Sequence, residues 1–97
     1  MIRHVVLFRW KPEATQEQKA RAAREVATLP SIVPSVREFA SGTDIGVNEG
    51  NFDFCVAADF DDEAGYIAYR DDPAHRQIVA GFVAPILAER AAVQFQY

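Results

Sequence analysis

Ile2, His4, Val6, Phe8 and Trp10 alternate with Arg3, Val5, Leu7 and Arg9. The opening stretch therefore reads as a strand with one strongly apolar face and a second face that is apolar only in its middle. Lys11-Pro12 ends it. Thr15, with Gln18 three residues later, has the spacing of a capping box and starts a helix to about Leu29. Its inward side is rich in small residues, Ala20, Ala22, Ala23 and Ala27 beside Val26, which predicts either close packing on a sheet or a hollow above it. Pro30 and Pro34 bracket a short connection to a second strand over Val36–Ser41, and the Asn- and Gly-rich stretch up to Asn51 is turn chemistry. Phe52, Phe54, Val56, Ala58 and Phe60 alternating with Asp53, Cys55, Ala57 and Asp59 give the clearest strand of all.

A second helix follows, with Asp61 as its predicted cap and Tyr66 and Tyr69 three residues apart. It breaks at Arg70-Asp71-Asp72, because Pro73 disfavours helical geometry in the residue before it. Asp72-Pro73 then restarts a helix: Asp accepts from the free N–H groups of the first turn, and Pro is tolerated at the first position. His75, Ile78, Val79, Phe82 and Ile86 form one apolar stripe on it, until Pro85 bends or ends it. Arg90–Tyr97 alternates again and closes the chain as a strand. The order strand, helix, strand, strand, broken helix, strand is that of an α+β, ferredoxin-like domain over residues 1–97, with a four-stranded antiparallel sheet. Helices cover one sheet face. On the other, Val5, Leu7, Cys55, Ala57 and Ala92 are expected, and an apolar face of that size calls for a cover. A second copy of the chain packed sheet to sheet, a homodimer, is the predicted one.

Composition narrows the functions. A net charge of −4 and dispersed basic residues argue against nucleic acid, which demands clustered Lys and Arg. No apolar run approaches the roughly 18–20 residues that cross a bilayer, and the Arg and His in the first ten residues do not fit a signal peptide. One cysteine, Cys55, allows no internal disulfide and fits a reducing cytoplasm. Two histidines without close spacing, and without a carboxylate cluster around either, do not make a metal-ligand set.

The groups that move protons converge on Tyr66–Phe82. A break before Pro73 can aim Tyr69 and His75 at one point from two helices. Histidine exchanges protons near neutral pH, and a tyrosine hydrogen-bonded to it would share its proton. The helix start disfavours a charged His75, while Asp71 and Asp72 favour it. His4 alternates onto the helix-covered face and is expected to see the same region. The plainer reading of Tyr69 and His75 is that they tie the helix break together, and of His4 that it is a hydrogen-bonded core histidine.

The opening strand IRHVVLFRWK, the segment PEATQEQK, the strand NFDFCVAADF and above all YRDDPAHRQ resemble the stress-responsive A/B barrel domain family, known as Dabb, along essentially the whole chain. The resemblance implies a ferredoxin-like fold pairing into a dimeric α+β barrel. The family holds stress proteins without assigned chemistry and a plant polyketide cyclase that performs a cofactor-independent, aldol-type ring closure. By position, the cyclase's catalytic residues fall on Tyr69, His75 and His4. The wall of a small-ligand pocket is expected from Val6, Phe8 and Phe54 on strands, Ala23, Val26 and Ala27 on the first helix, and Val79 and Phe82 on the last, of which Phe54, Ala23, Val26 and Ala27 correspond to pocket positions of the cyclase. Phe54 replaces a pocket histidine, and the three first-helix positions replace bulkier residues, so the same substrate is not implied. Three functions follow: a dimer binding a small hydrophobic molecule, with proton-transfer or cyclase-like chemistry and no cofactor; a non-catalytic stress-type dimer; and a relative of the barrels that run cofactor-free monooxygenation.

Overall fold

In the computed structural model, which describes residues 1–97, β1 (Ile2–Trp10) is central and pairs antiparallel with β3 (Phe54–Phe60) and β4 (Leu87–Gln96), while β2 (Glu38–Thr43) flanks β3. The sheet order β2-β3-β1-β4 is ferredoxin-like. Residues opposite one another in paired strands share a face. His4 with Ala58, Val6 with Val56 and Phe8 with Phe54 therefore look the same way, and all are buried under the helices. The first of these helices, α1 (Gln16–Ala27), starts at the predicted capping box: the Gln18 N–H donates to Thr15 Oγ1 at 3.1 Å, and the Thr15 N–H to Gln18 Oε1 at 2.9 Å. Ala22 and Val26 of α1 are buried, and a short α2 (Leu29–Ile32) adds Leu29 to the core.

Several local expectations shift. β2 begins two residues later than predicted, because Val33 to Val36 close a turn that buries Val33 under the helices. The cap of α3 (Glu63–Asp71) is Asp62, which accepts from the Gly65 N–H at 2.8 Å. Asp61 instead takes a hydrogen bond of 3.0 Å from Arg37 Nε. Either of two adjacent acids suits the start of a helix; the arginine across the turn selects between them. Asp72 restarts the chain as predicted, accepting from the Ala74 N–H at 2.8 Å ahead of α4 (Pro73–Ile78). The apolar stripe does not continue as one α-helix. Val79–Val83 is a π-turn, with the Ala84 N–H donating to the Val79 carbonyl, and Ala84–Ile86 is a 3-10 turn around Pro85 that leads directly into β4.

β4 presents the opposite faces from those expected. Ala92 pairs with Val6 and so lies on the helix-covered side. Ala91, Val93 and Phe95 pair with Leu7, Val5 and Arg3 and lie on the open face instead. With a side-chain period of two, a single-residue choice moves every residue of a strand to the other face, and a bulge at Arg9/Trp10 makes that choice here. The open face consequently carries Val93, Phe95 and Tyr97, all exposed, in addition to Val5, Leu7 and Ala57. One polar knot interrupts it: Arg3 donates to both oxygens of buried Asp59 at 2.8 and 2.9 Å, and the Tyr97 hydroxyl donates to the same carboxylate. Chiefly through the Arg3 hydrogen bonds, the Asp59 carboxyl is held down at about 2.

Candidate active site

Between the helices and the covered face of the sheet lies a cavity of about 210 Å³, mostly apolar, that brings together His4, Tyr66, Tyr69 and His75. Each arrives by a separate device. His4 comes from the covered alternation of β1, Tyr66 and Tyr69 from successive turns of α3, and His75 from the first turn after the Pro73 restart. Phe60, wholly buried, supports the two tyrosines: its ring stands edge-on to Tyr66 at 5.7 Å and tilted on Tyr69 at 5.1 Å. The π-turn places Val79 and Val83 in the cavity wall, a use consistent with the frequency of π-turns at functional sites.

Tyr69 and His75 meet ring on ring, with centroids 4.1 Å apart and planes 34° from parallel, and not through a shared hydrogen bond. The His75 Nδ1 lies 3.3 Å from the Arg70 carbonyl across the helix break. A carbonyl only accepts, so in the neutral ring Nδ1 carries the proton and Nε2 keeps a lone pair. The opposition left open by the sequence, helix start against neighbouring acids, resolves toward the neutral form. Burial lowers the His75 pKa, overriding the Arg70 carbonyl and Asp72. Asp71 is occupied elsewhere, by Arg70 at 2.9 Å and Arg76 at 3.0 Å.

His4 has the opposite tautomer. The Gln94 amide donates to its Nδ1 at 3.0 Å, so Nε2 bears the hydrogen, and its ring packs on Tyr66 at 4.9 Å. Burial, with the charges of Arg90 and His75 in support, pushes His4 from 6.5 down to about 4. Tyr69 is buried and is pushed up to about 12, mainly by desolvation. The cavity thus holds one imidazole with a free lone pair, and the His4 N–H and the Tyr66 and Tyr69 hydroxyls as donors.

His4 also predicts a pH dependence of stability. Unfolded, it gains a proton near 6.5; folded, only near 4. Between those values the unfolded chain holds more protons, so stability rises with pH. The contribution is complete above about 6.5 and is lost as pH falls toward 4, amounting to on the order of 1–2 kcal/mol once solvent reaching the cavity is allowed for. Denaturant unfolding at stepped pH measures it. His4→Gln is expected to flatten the slope in this window, and an unchanged slope would refute the assignment.

Of the residues proposed as pocket walls, Val6, Phe8, Val26 and Val79 line the cavity. The other four do not. Phe54 is buried against Phe8 and Trp10, at 6.1 and 5.9 Å. Ala23 packs against the core, Ala27 is exposed, and Phe82 is half-buried with the Arg21 guanidinium 4.9 Å above its ring. Tyr66 and Arg90 line the cavity without having been singled out. The spacing of Tyr66 from Tyr69 carried a signal for the first; only the β4 register reveals the second. A larger and more open hollow, about 690 Å³, lies between the open face and the 44–53 loop, but Asp44 and Cys55 are its only titratable side chains. No three His, Cys, Asp or Glu side chains gather as a cation site, and no helix is long and apolar enough to cross a membrane.

Comparison with known proteins agrees with this architecture. A dimeric ferredoxin-like protein from Thermobifida fusca is 44% identical with a TM-score of 0.91, the match covering 99% of this chain and 90% of that one. A Dabb family protein from Mesorhizobium loti is 23% identical (TM-score 0.82, 99% and 95% covered), and a hydroxynitrile lyase from Passiflora edulis is 21% identical (TM-score 0.82, 97% and 90% covered); at these identities the likeness is one of fold. No curated protein matches by sequence. The family model for the stress responsive A/B barrel domain matches residues 2–97, and the chain belongs to that family, Dabb.

Proposed function

We propose that this chain is a single-domain, homodimeric Dabb protein whose cavity binds a small hydrophobic carbonyl compound and transfers a proton beside the carbonyl, a polyketide-cyclase-like chemistry without a cofactor. One observation carries the reading: a mostly apolar cavity lined together by an imidazole with a free lone pair and by the donors His4, Tyr66 and Tyr69. His75 Nε2 takes the α-proton as general base, its neutral form favoured by burial. Tyr69, raised to about 12, stays protonated and donates to the enolate oxygen, and His4 N–H is the second donor. Donors that are neutral before the reaction and aimed at the developing charge stabilise the enolate more than the ketone. The volume suits a single ring or a short chain, since drug-sized ligands occupy about 300–1,000 Å³.

The homodimer reading draws on the exposed Val93, Phe95 and Tyr97 beside Val5 and Leu7, and on the dimeric relative from Thermobifida fusca. A reducing cytoplasm remains the setting that one half-buried thiol fits. A second reading, binding without turnover, is favoured by the His75–Arg70 carbonyl bond, which gives His75 a use in holding the helix break. Thermal-shift titration with single-ring aromatic polyketides tests the site. Native protein is expected to gain melting temperature with ligand, and His75→Ala and Tyr69→Phe to gain less; three equal responses would remove the site. Sedimentation of Val93→Glu/Phe95→Glu tests the interface: a monomer is expected, and an intact dimer would place the contact elsewhere.

A further inference from the structure

Of the chain's eight arginines, seven lie within salt-bridge distance of a carboxylate; Arg90 is the exception. Its position sharpens the anomaly. Arg90 pairs across the strands with Phe8, so it stands on the helix-covered side of β4 and not on the open face. It lines the cavity that holds His4, Tyr69 and His75. No Asp or Glu is among the residues lining that cavity, and the other guanidinium there, Arg70, is engaged by both oxygens of Asp71 at 2.9 and 3.1 Å. The cavity therefore has an apolar floor, neutral proton donors, and one free cation at its rim with no anion of the protein to meet it.

We propose that Arg90 anchors a carboxylate, so that the ligand of this cavity is a small keto acid, one carboxylate on an apolar ring or chain that also carries the reacting carbonyl. The guanidinium presents two parallel N–H groups that match the two oxygens of one carboxylate. The apolar body then lies among Val6, Val26, Val79 and Val83. Arg90 is exposed, so it is hydrated while the cavity is empty and exchanges water for the carboxylate without refolding. A single guanidinium suits a monoanion better than a phosphate dianion. The proximity that lets Arg90 depress the protonation of His4 has a corollary: a carboxylate on Arg90 offsets that charge, and the His4 titration moves upward on binding.

This rests on the reading of the cavity as a ligand site, and the test separates the two. Benzoate and benzamide, alike in shape and different in charge, are titrated calorimetrically into the native protein, Arg90→Met and Arg90→Lys. Native protein is expected to prefer benzoate by roughly tenfold or more. Arg90→Met is expected to lower benzoate to the level of benzamide without changing benzamide, and Arg90→Lys to keep part of the preference. Equal affinity of the native protein for both probes overturns the anchor while leaving the cavity reading intact. So does a preference that survives in Arg90→Met, or an equal loss of both probes in that variant. Failure of both probes to bind overturns the anchor and the cavity together.

Discussion

Replacing Phe60 with alanine is expected to cost about 3–5 kcal/mol, the range for removing a fully buried phenylalanine. The residue has no exposed surface, and its ring is in contact distance of both Tyr66 and Tyr69. Those tyrosines in turn hold the rings of His4 and His75. The loss is thus both a cavity in the core and the removal of the support beneath α3. For a domain of this size each kcal/mol moves the melting temperature by several degrees, so a fall of roughly 15 °C or more is expected. A total stability of about 5–15 kcal/mol leaves little in reserve. Phe60→Leu, which keeps most of the volume, is expected to lose less than half as much. Denaturant unfolding measures both; a loss under about 1 kcal/mol for Phe60→Ala would show that the aromatic cluster does not support the site.

The second large effect falls on chemistry. If His75 removes the α-proton, His75→Ala deletes the base, and the rate of proton removal from a bound ketone is expected to drop by about 10²–10⁴. Tyr69→Phe keeps the ring against His75 and Phe60 and removes only the donor, so a smaller drop, roughly ten- to a hundredfold, is expected. The order matters more than either magnitude. A phenol with its pKa pushed up to about 12 is not a base at neutral pH, so Tyr69 assists a proton removed by His75 and does not remove it itself. The lowered His75 pKa also keeps the base active below pH 6.5, and the rate is expected to stay level down to mildly acidic pH. His75→Gln, which preserves a polar group at the break, separates loss of the base from loss of the helix junction.

Much of this was legible in the residues because each local device agreed with the others. β1 was readable to the residue because both of its ends are marked, by the first apolar alternation and by Lys11-Pro12. The capping box at Thr15 and the restart at Asp72-Pro73 have spacings that few other structures use. Sheet order followed from element order. What escaped depended on relations between distant segments. Nothing local tells which side of β4 faces the helices, since Ala91 and Ala92 are chemically identical, yet that choice puts Phe95 on the open face and Arg90 at the cavity. The cap at Asp62 was settled by Arg37, 25 residues earlier in the chain, binding Asp61. The proximity of Tyr69 and His75 was readable from the helix break. Their tilted ring-on-ring contact was not, because it requires His75 Nδ1 to turn back to the Arg70 carbonyl. Ala27 illustrates the same limit: with Ala22 and Val26 inward, it falls on the exposed side of α1, so small size alone did not mark the pocket.

The most direct measurement is hydrogen–deuterium exchange at the benzylic α-carbon of phenylacetone in D2O, followed by proton NMR with native protein, His75→Ala and Tyr69→Phe. Phenylacetone carries no carboxylate, so the outcome does not depend on Arg90. Exchange faster than buffer is expected for the native protein, with most of it lost in Tyr69→Phe and nearly all of it in His75→Ala. Native protein that exchanges no faster than buffer, or three proteins that exchange alike, would contradict the proposed proton transfer.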